Sequence, residues 1–342
     1  MIFPEALARA MPKAELHVHL EGSVDPSTML ALADRHGVEP PAGDVDGMHA
    51  WLQFDGFPSF LERYFWVCGL LRNADDFADI AHSYLRTAHD QGVVHVEFHV
   101  SSSYHIVERG ADWSEVLAGV VAGCERAEAE FGISSLLIPD LSPHLGADAA
   151  HRALDVVLSE LHPRVAAVGL GGPADNWTTE DFGSAFTRAR EAGLHTVSHA
   201  GEHGPAWEVR HALEVFGAER IQHGIGAMGD PEVVAMLVDQ GVACDVCPGS
   251  NLALAAVSSL ADHPLPAMLD AGITVTLGSD DPPLFQTDLL SEYRHAWELC
   301  DLDEDGLRQL ADNSLIESFA PTDAVAGWLA ADPADTVAAE DV

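Results

Sequence analysis

Eight short apolar runs, separated by segments of helical periodicity, constrain the fold of this chain most strongly. The runs are rich in β-branched residues and occupy residues 14–20, 93–100, 133–140, 165–172, 195–202, 219–225, 242–250 and 274–282. Amphipathic patterns between them each end at a glycine, a common helix stop signal: 75–92, 113–132, 179–193, 205–217 and 231–241. Strands that alternate with helices indicate a parallel sheet. Eight such units predict an α/β fold, a closed (β/α)8 TIM barrel.

A single domain accommodates the whole chain, because barrels of this class often run to the length of these 342 residues. The gap between the first and second predicted strands is long, and we expect residues 51–73 to form extra helices over one barrel mouth. The acidic tail, residues 330–342, is expected to be frayed. Residues 1–342 are therefore predicted to form one barrel domain with a frayed end.

The chain is strongly acidic: 16 Lys and Arg residues against 55 Asp and Glu residues give a formal net charge of −39. Such a surface repels phosphate backbones, which argues against DNA or RNA as a partner. Disorder is disfavoured as well, because 47% of the residues are apolar and the acids are dispersed along the chain. We expect a halophilic source, in which high internal salt screens the self-repulsion.

The sequence predicts a cytoplasmic protein without membrane contact. No run of about eighteen apolar residues indicates a membrane span, and the first fifteen residues lack the basic and apolar regions of a signal peptide. The five cysteines are scattered and odd in number, which favours a reducing compartment over a disulfide framework. The oligomeric state is left open.

Histidines and acids cluster at the ends of the predicted strands. In "ELHVHLEG" (15–22), His17 and His19 alternate with apolar residues, so both imidazoles point to one face of the strand. Further histidines and acids end later strands: His199, Glu202, His223, Asp280 and Asp281. Active sites of barrel enzymes lie at the carboxyl ends of the strands. We therefore expect all of these side chains to converge on one mouth of the barrel.

Three imidazoles and one carboxylate of this set suit a zinc ion with one position left for water: His17, His19, His199 and Asp280. Zinc lowers the pKa of a bound water and makes hydroxide available at neutral pH. Glu202, three residues after His199, could shuttle a proton beside the metal. His223 could take the proton of the water or stabilise the developing charge. This set predicts hydroxide attack on an electrophilic carbon.

Several alternatives stand beside this prediction. A lone histidine at a strand end is often a structural residue, and paired aspartates could form a turn. The segments "HVE" (95–97) and "CDVC" (244–247) loosely resemble the signature of cytidine-type zinc deaminases, but Ala243 stands where that signature has proline. "GLGG" (169–172) lacks the spacing of a dinucleotide site, and its glycines favour close approach of a flat ligand to the backbone.

Two other functions could use the same barrel. The first is zinc-dependent hydrolysis of an amide or a phosphoester. No lysine ends a predicted strand, so the chain offers no candidate for a carbamate bridge between two metals. The second is a catalytically inactive binding protein, in which we would expect a ligand or the acid to be missing. None is missing here.

The chain resembles the adenosine deaminase family of the amidohydrolase superfamily from about Met11 to Phe319. Five segments carry the resemblance: "MPKAELHVHLEGS" (11–23), "SHAGE" (198–202), "ERIQHG" (219–224), "VCPGSN" (246–251) and "GSDDP" (278–282). The resemblance implies a (β/α)8 barrel and deamination at C6 of a 6-aminopurine. It also implies one Zn²⁺ ion as cofactor, bound by His17, His19, His199 and Asp280.

The same resemblance implies a role for each remaining residue. Glu202 protonates the ring at N1, and His223 orients the attacking hydroxide. Asp281 hydrogen-bonds N7, and a backbone N–H near Gly172 meets N3. His19 and Glu21 are expected beside the substrate.

Two departures bear on the choice of purine. Adenosine deaminases typically carry Asp at the position of Glu21, where the carboxylate touches the sugar, and an acid at the position of Pro173. The "HLEGS" segment is shared with adenine deaminases, and its "LEGS" form also with aminodeoxyfutalosine deaminases. We expect adenosine or deoxyadenosine as the substrate, with aminodeoxyfutalosine and adenine as alternatives. AMP is disfavoured, because few basic residues are present to meet a phosphate.

Overall fold

A computed structural model describes residues 2–172 and 180–331. Its eight strands are all parallel and pair in chain order, β1 through β8. Their bounds are β1 Lys13–His19, β2 Val93–Val100, β3 Ser134–Leu141, β4 Ala167–Leu170, β5 His195–Ala200, β6 Arg220–His223, β7 Ala243–Val246 and β8 Val275–Leu277.

The sheet closes on itself between β8 and β1. The backbone N–H of Asp280 donates to the carbonyl oxygen of His17 (3.1 Å), and the N–H of His19 donates to the carbonyl oxygen of Asp280 (2.9 Å). These two bonds join the residues that follow β8 to the end of β1, so the eight strands form a ring. The predicted (β/α)8 TIM barrel is confirmed.

Helices surround the ring and connect its strands. Their bounds are α1 Glu5–Ala10, α2 Pro26–His36, α3 Val45–Leu52, α4 Phe57–Leu70, α5 Ala74–His89, α6 Trp113–Phe131, α7 Ala147–Ser159, α8 Glu180–Glu191, α9 Ala206–His211, α10 Pro231–Gln240, α11 Pro248–Ala253, α12 Leu265–Asp270, α13 Pro282–Phe285, α14 Leu289–Cys300, α15 Glu304–Ile316 and α16 Thr322–Leu329. As the glycine signals predict, α6 ends at Gly132 and α10 at Gly241, both in the left-handed conformation that glycine adopts without steric cost.

The long connection between β1 and β2 forms α2 to α5, and α4 lies over the carboxyl-terminal mouth of the barrel. Its side chains Phe57, Phe60 and Tyr64 face a cavity at that mouth. The expectation that residues 51–73 supply helices over the mouth is therefore confirmed.

Several strands end earlier than the sequence predicts, and the backbone is left-handed at Gly201 directly after β5, at His223 in the last position of β6, and at Asp280 three residues after β8. Gly201, His223 and Asp280 have φ values of 66°, 64° and 62°. A residue in that conformation cannot continue a strand. Glu202 therefore lies on a loop two residues beyond β5, and Asp280 and Asp281 lie beyond β8.

Two kinds of packing hold the barrel. Apolar side chains from the outer face of the strands and the inner face of the helices form the main core. Inside the ring, Arg220 is fully buried and pairs with the carboxylates of Glu97 (2.6 Å) and Asp245 (3.0 Å). Phe319 covers the guanidinium, whose central carbon lies 4.2 Å from the ring centroid. This charged layer forms the floor beneath the strand-end histidines.

Within the described ranges, every helix is too short or too polar to cross a membrane. The predicted frayed tail, 330–342, lies outside the described residues from 332 onward.

Candidate functional site

Four side chains from β1, β5 and the residues after β8 meet at the mouth of the barrel. The Nε2 atom of His199 lies 3.1 Å from Nε2 of His17 and 3.2 Å from Nε2 of His19. The Oδ1 atom of Asp280 lies 3.5 Å and 3.3 Å from the same two nitrogens. Alternation along β1 and the left-handed turn at Asp280 aim these atoms at one point.

The protonation of the imidazoles makes this cluster fit a cation. His17 Nδ1 lies 2.9 Å from the carbonyl oxygen of Asp245, and His199 Nδ1 lies 2.7 Å from that of Leu170. A carbonyl oxygen only accepts, so each Nδ1 carries the proton and each Nε2 presents a lone pair. Burial lowers the pKa of both rings, which keeps them neutral. Two lone pairs at 3.1 Å repel unless a cation lies between them.

The spacing of the four atoms also suits zinc. Tetrahedral zinc with bonds of about 2.0–2.1 Å to nitrogen has edges of about 3.3 Å between ligand atoms. Four of the six edges measure 3.1 to 3.5 Å, close to that figure, and all four atoms lie within 4.8 Å of one another. His17, His19, His199 and Asp280 therefore offer a donor set that could hold a metal ion.

Ser250 orients the carboxylate of Asp280. Its hydroxyl donates to Oδ2 at 2.6 Å, which leaves Oδ1 directed at the histidines. Burial opposes ionisation of this carboxyl, but the imidazole of His17 and a hydrogen bond from His19 hold its pKa well below the usual range. Asp280 is therefore ionised, as a metal ligand must be.

Burial raises the pKa of two carboxyl groups beside the candidate metal site. Burial, followed by the charges of Asp280 and Asp281, raises the pKa of Glu202 to about 8. Burial and the charge of Asp280 raise the pKa of Asp281 well above its usual value. Glu202 Oε1 and Asp281 Oδ1 are buried and have no hydrogen-bond partner. Both groups line the cavity and can donate a proton to a ligand there.

The cavity is small and largely aromatic. It has a volume of about 100 Å³, below the roughly 300–1,000 Å³ typical of sites for drug-sized ligands. Its wall includes the five side chains that α4 contributes: Phe57, Phe60, Leu61, Tyr64 and Phe65. An open groove of about 640 Å³ adjoins it and shares the two glycines Gly171 and Gly172. The inner cavity fits a flat, compact ligand, with space for a substituent outside.

Glycines bring the backbone close to the site. A Cβ at Gly171 would lie 3.2 Å from Cε1 of His199, and one at Gly22 would overlap Oδ1 of Asp281 at 1.5 Å. Gly172, predicted to face the substrate, lines the inner cavity with φ at 111°. A side chain at Gly22 would displace the Asp281 carboxyl from its position.

Glu21 lies apart from the other predicted site residues. Its carboxylate is fully buried, does not line either cavity, and accepts from the N–H of Ser101 (3.0 Å) and from Nε2 of His105 (2.8 Å). It ties the residues after β2 to those after β1. The predicted contact between Glu21 and substrate thus stays a prediction, and Pro173 lies outside the described residues.

The two weak motifs have structural partners. Glu97 of "HVE" pairs with Arg220 in the barrel floor, and Cys244 and Cys247 are buried free thiols. Glu97 therefore contributes to the charged layer below the site.

Sequence reasoning missed several residues that support the site. Ser250 and Asn251 stand in "VCPGSN", a segment for which we predicted no role. Asp140, on β3, lies between two imidazoles: its Oδ1 is 2.9 Å from Nδ1 of His99, and its Oδ2 is 3.6 Å from Nδ1 of His19. Inward alternation along β2 and β3 was the available signal for His99 and Asp140.

Most of the chain matches a known protein family: the family model "Adenosine deaminase" covers residues 12–330. The chain belongs to the adenosine deaminase family. It is a hydrolase of the deaminase type that acts on C–N bonds.

Two relatives of this deaminase cover most of its length. The adenine deaminase of Rhodospirillum rubrum is 38% identical over 320 residues, which is 94% of this chain and 95% of the relative. The aminodeoxyfutalosine deaminase of Acidothermus cellulolyticus is 39% identical over 302 residues, 85% of this chain and 83% of the relative. The adenosine specificity expected above is not supported by these relatives, which agree better with the alternatives.

Two solved structures share the fold closely. The adenine deaminase of Arthrobacter aurescens superposes with a TM-score of 0.89 at 35% identity and covers 97% of this chain and 100% of its own. An amidohydrolase from Burkholderia ambifaria, solved with bound Zn, has a TM-score of 0.89 at 28% identity and covers 99% of this chain and 96% of its own. Together with the ligand geometry, this similarity supports a metal cofactor for the deaminase.

Proposed function

We propose that this protein hydrolyses adenine at C6 to hypoxanthine and ammonia, with one Zn²⁺ ion bound by His17, His19, His199 and Asp280. The observation that carries the proposal is a pair of buried carboxyl oxygens without a hydrogen-bond partner, Glu202 Oε1 and Asp281 Oδ1, at a cavity of about 100 Å³ beside the four-residue cluster.

The two acids match the hydrogen-bonding pattern of the purine. In a 6-aminopurine, the ring nitrogens N1 and N7 flank the carbon that carries the amino group, and both are acceptors. A protonated Glu202 donates to N1, and a protonated Asp281 donates to N7. An aromatic C6 resists attack until N1 receives a proton, so the donor at N1 activates the carbon as well as orienting the ring.

A zinc ion at this site supplies an activated water and stabilises negative charge. Glu202 transfers its proton to N1 as the oxygen adds to C6. The water would leave its oxygen on C6 and give up both of its protons, one to restore Glu202 and one to the amino group, which leaves as ammonia when the C6–N bond breaks. The aromatic wall of α4 excludes bulk water, which strengthens each charged interaction within the cavity.

The size of the inner cavity favours the free base over a nucleoside. The buried Glu21 carboxylate, which would be the candidate for contact with a sugar, is engaged by Ser101 and His105. Adenine as the substrate agrees with the names of the relatives from Rhodospirillum rubrum and Arthrobacter aurescens.

A second candidate substrate is aminodeoxyfutalosine. The open groove of about 640 Å³ adjoins the inner cavity and offers space for a large substituent on N9. The relative from Acidothermus cellulolyticus carries that name.

A substrate panel distinguishes these candidates. Adenine, adenosine, deoxyadenosine and aminodeoxyfutalosine are compared by loss of the 6-aminopurine ultraviolet band and by ammonia release, in molar salt. We expect the highest kcat/KM with adenine and about one zinc per chain by elemental analysis. A higher kcat/KM with aminodeoxyfutalosine selects the second candidate. Preference for adenosine, or protein purified without a transition metal, contradicts the proposal.

A further inference from the structure

A chain of three hydrogen bonds runs from the backbone of α12 to the imidazole of His223. It passes through His263 and Asn251, neither of which lines the cavity. We infer that Asn251 and His263 are positioning residues, which hold the proton of His223 on Nε2 and make this imidazole a hydrogen-bond donor to the reacting oxygen. The inference rests on the proposed function only for the identity of that oxygen.

The first link sets the protonation of His263. The backbone N–H of Leu265 donates to His263 Nδ1 at 3.0 Å, so this nitrogen carries no proton. Burial, followed by the charge of His295, lowers the pKa of His263 to about 4, so the ring is neutral. Its single proton therefore lies on Nε2, which is 3.1 Å from Oδ1 of Asn251.

The second link sets the orientation of the Asn251 amide. Because Oδ1 accepts from His263, the amide must present its NH₂ group at the other end. That group, Nδ2, lies 3.1 Å from Nδ1 of His223 and donates to it. A backbone N–H thus determines which way a buried amide points.

The third link sets the tautomer of His223. Its Nδ1 accepts from the Asn251 amide at 3.1 Å and therefore carries no proton. The remaining proton lies on Nε2. This nitrogen faces the site, where Glu202 Oε1 and Asp280 Oδ2 lie at 3.7 Å and 3.9 Å, beyond hydrogen-bond distance.

The backbone at His223 is unusual. Its φ of 64° is a left-handed conformation, which is unfavourable for a residue with a side chain. The hydrogen bond from Asn251 then fixes the ring within the loop. Of the two roles considered for His223, base or charge stabiliser, only the second is open to this tautomer, because Nε2 has no free lone pair.

Nitrogen NMR of the whole protein tests the tautomer without any substrate. Long-range ¹H–¹⁵N correlation spectra of ¹⁵N-histidine-labelled protein, recorded with and without Zn²⁺, identify which ring nitrogen is protonated. The His223 signals are assigned by their loss in His223→Gln. We expect protonated Nε2 and unprotonated Nδ1 in both samples. A proton on Nδ1 overturns the inference, whether or not the protein deaminates adenine.

A matched pair of variants tests the role of this hydrogen-bond chain from Leu265 through His263 and Asn251 to His223, which we call the relay. In His263→Leu the donor to Asn251 is lost, so the amide can rotate and the His223 signals should shift towards a mixture of tautomers. In His263→Gln an amide N–H replaces the donor and should restore the wild-type spectrum. With zinc bound, we expect kcat to fall about tenfold or more in His263→Leu, with KM changed less than about twofold, and most of kcat to return in His263→Gln.

Thermal melting separates this role from a purely structural one. If both variants melt at the same temperature but only His263→Leu loses kcat and the single tautomer, the relay acts on His223. Equal loss of kcat in the two variants, or a His263→Leu protein with wild-type spectrum and kcat, contradicts it.

Discussion

Two adjacent carboxyl groups, Asp280 and Asp281, have pKa values shifted in opposite directions. Asp280 faces the imidazoles of His17 and His19, which hold its pKa well below the usual range, whereas Asp281 lies against Gly22, and burial and the charge of Asp280 raise its pKa well above the usual value. In the proposed function Asp280 binds the metal and Asp281 donates a hydrogen bond to the purine. The difference arises from the groups around each side chain, since the two residues are chemically identical.

Glu202→Gln tests the proton donor. The amide keeps the shape of the side chain but cannot transfer a proton to N1, so we expect kcat/KM for adenine to fall about 10³-fold. Zinc content should be unchanged, because Glu202 is outside the set of four ligand atoms. Kinetics and elemental analysis of the variant check both points, with the exposed Glu214→Gln as control. Full activity in Glu202→Gln would show that another group protonates the ring.

Glu97→Gln tests the charged floor through the pH dependence of stability. Burial opposes ionisation of Glu97, but the charge of Arg220 outweighs it and lowers the pKa of Glu97 to about 2. The carboxylate therefore stabilises the fold above its unfolded pKa of about 4.3, and this contribution is lost as the pH falls towards 2.

At pH 7 we expect Glu97→Gln to lower the free energy of unfolding by about 3 kcal/mol, because Arg220 loses a buried partner. Urea titrations of both proteins between pH 7 and 3.5 should give a difference that is constant above about pH 5 and smaller below pH 4. A difference independent of pH would mean that Glu97 acts by packing alone.

Local patterns predict the residues that approach the metal, because a strand alternates its faces and ends at the mouth of the barrel. They do not predict Ser250, Asn251 and His263, since contacts of these residues with the site span long sequence separations and follow no period. The raised pKa values of Glu202 and Asp281 cannot be predicted from local sequence patterns either, because they depend on burial and on neighbouring charges in the folded chain.

At the scale of elements, the strands and the connections between them contribute different parts of the candidate site. Strand ends supply the ligands and the acids, whereas α4, in the insertion between β1 and β2, supplies the aromatic wall. The position of each strand was predictable from apolar runs, but its last residue was not. Left-handed residues stand at or near two of these strand ends, His223 in the last position of β6 and Asp280 three residues after β8, and neither residue type signals such a turn as glycine does.

Phe65→Ala tests the wall. Phe65 lines the cavity and stacks on Tyr104 at 4.7 Å between ring centroids. Loss of this aromatic contact should raise KM for adenine about tenfold, with a smaller change in kcat. Trp66→Ala is the matched control on the same helix, because Trp66 packs on Trp51 at 5.0 Å and does not line the cavity. Similar KM values for the two variants would contradict the assignment of the wall.

Asp280 has two structural roles in the proposed enzyme: its side chain would bind the metal, and its backbone joins the end of β1 to the chain after β8. Chelation of the metal should therefore lower Tm by at least about 5 °C, and added Zn²⁺ should restore it. Asp280→Asn should respond much less to the chelator. Melting curves with and without chelator test this, and an unchanged wild-type Tm would separate the metal from barrel stability.

At the scale of the whole molecule, charge is the dominant property. A net charge of −39 on 342 residues destabilises a compact state in dilute buffer through mutual repulsion. The screening length falls from about 10 Å at 0.1 M salt to about 3 Å at 1 M. We expect Tm to rise by several degrees between these concentrations of KCl. Sucrose, an uncharged stabiliser, is the control: an equal effect of sucrose and KCl would mean that charge is not the cause.

The separation between barrel and covering helix has an evolutionary consequence. The proposed ligands and acids lie at the ends of the barrel strands, whereas the helix that covers them, α4, belongs to one inserted segment. Substitutions in α4 can therefore change which substrates enter the cavity without moving the residues at the strand ends. A lineage of such enzymes can therefore acquire a preference for bulkier or smaller purines through a few exchanges along one helix.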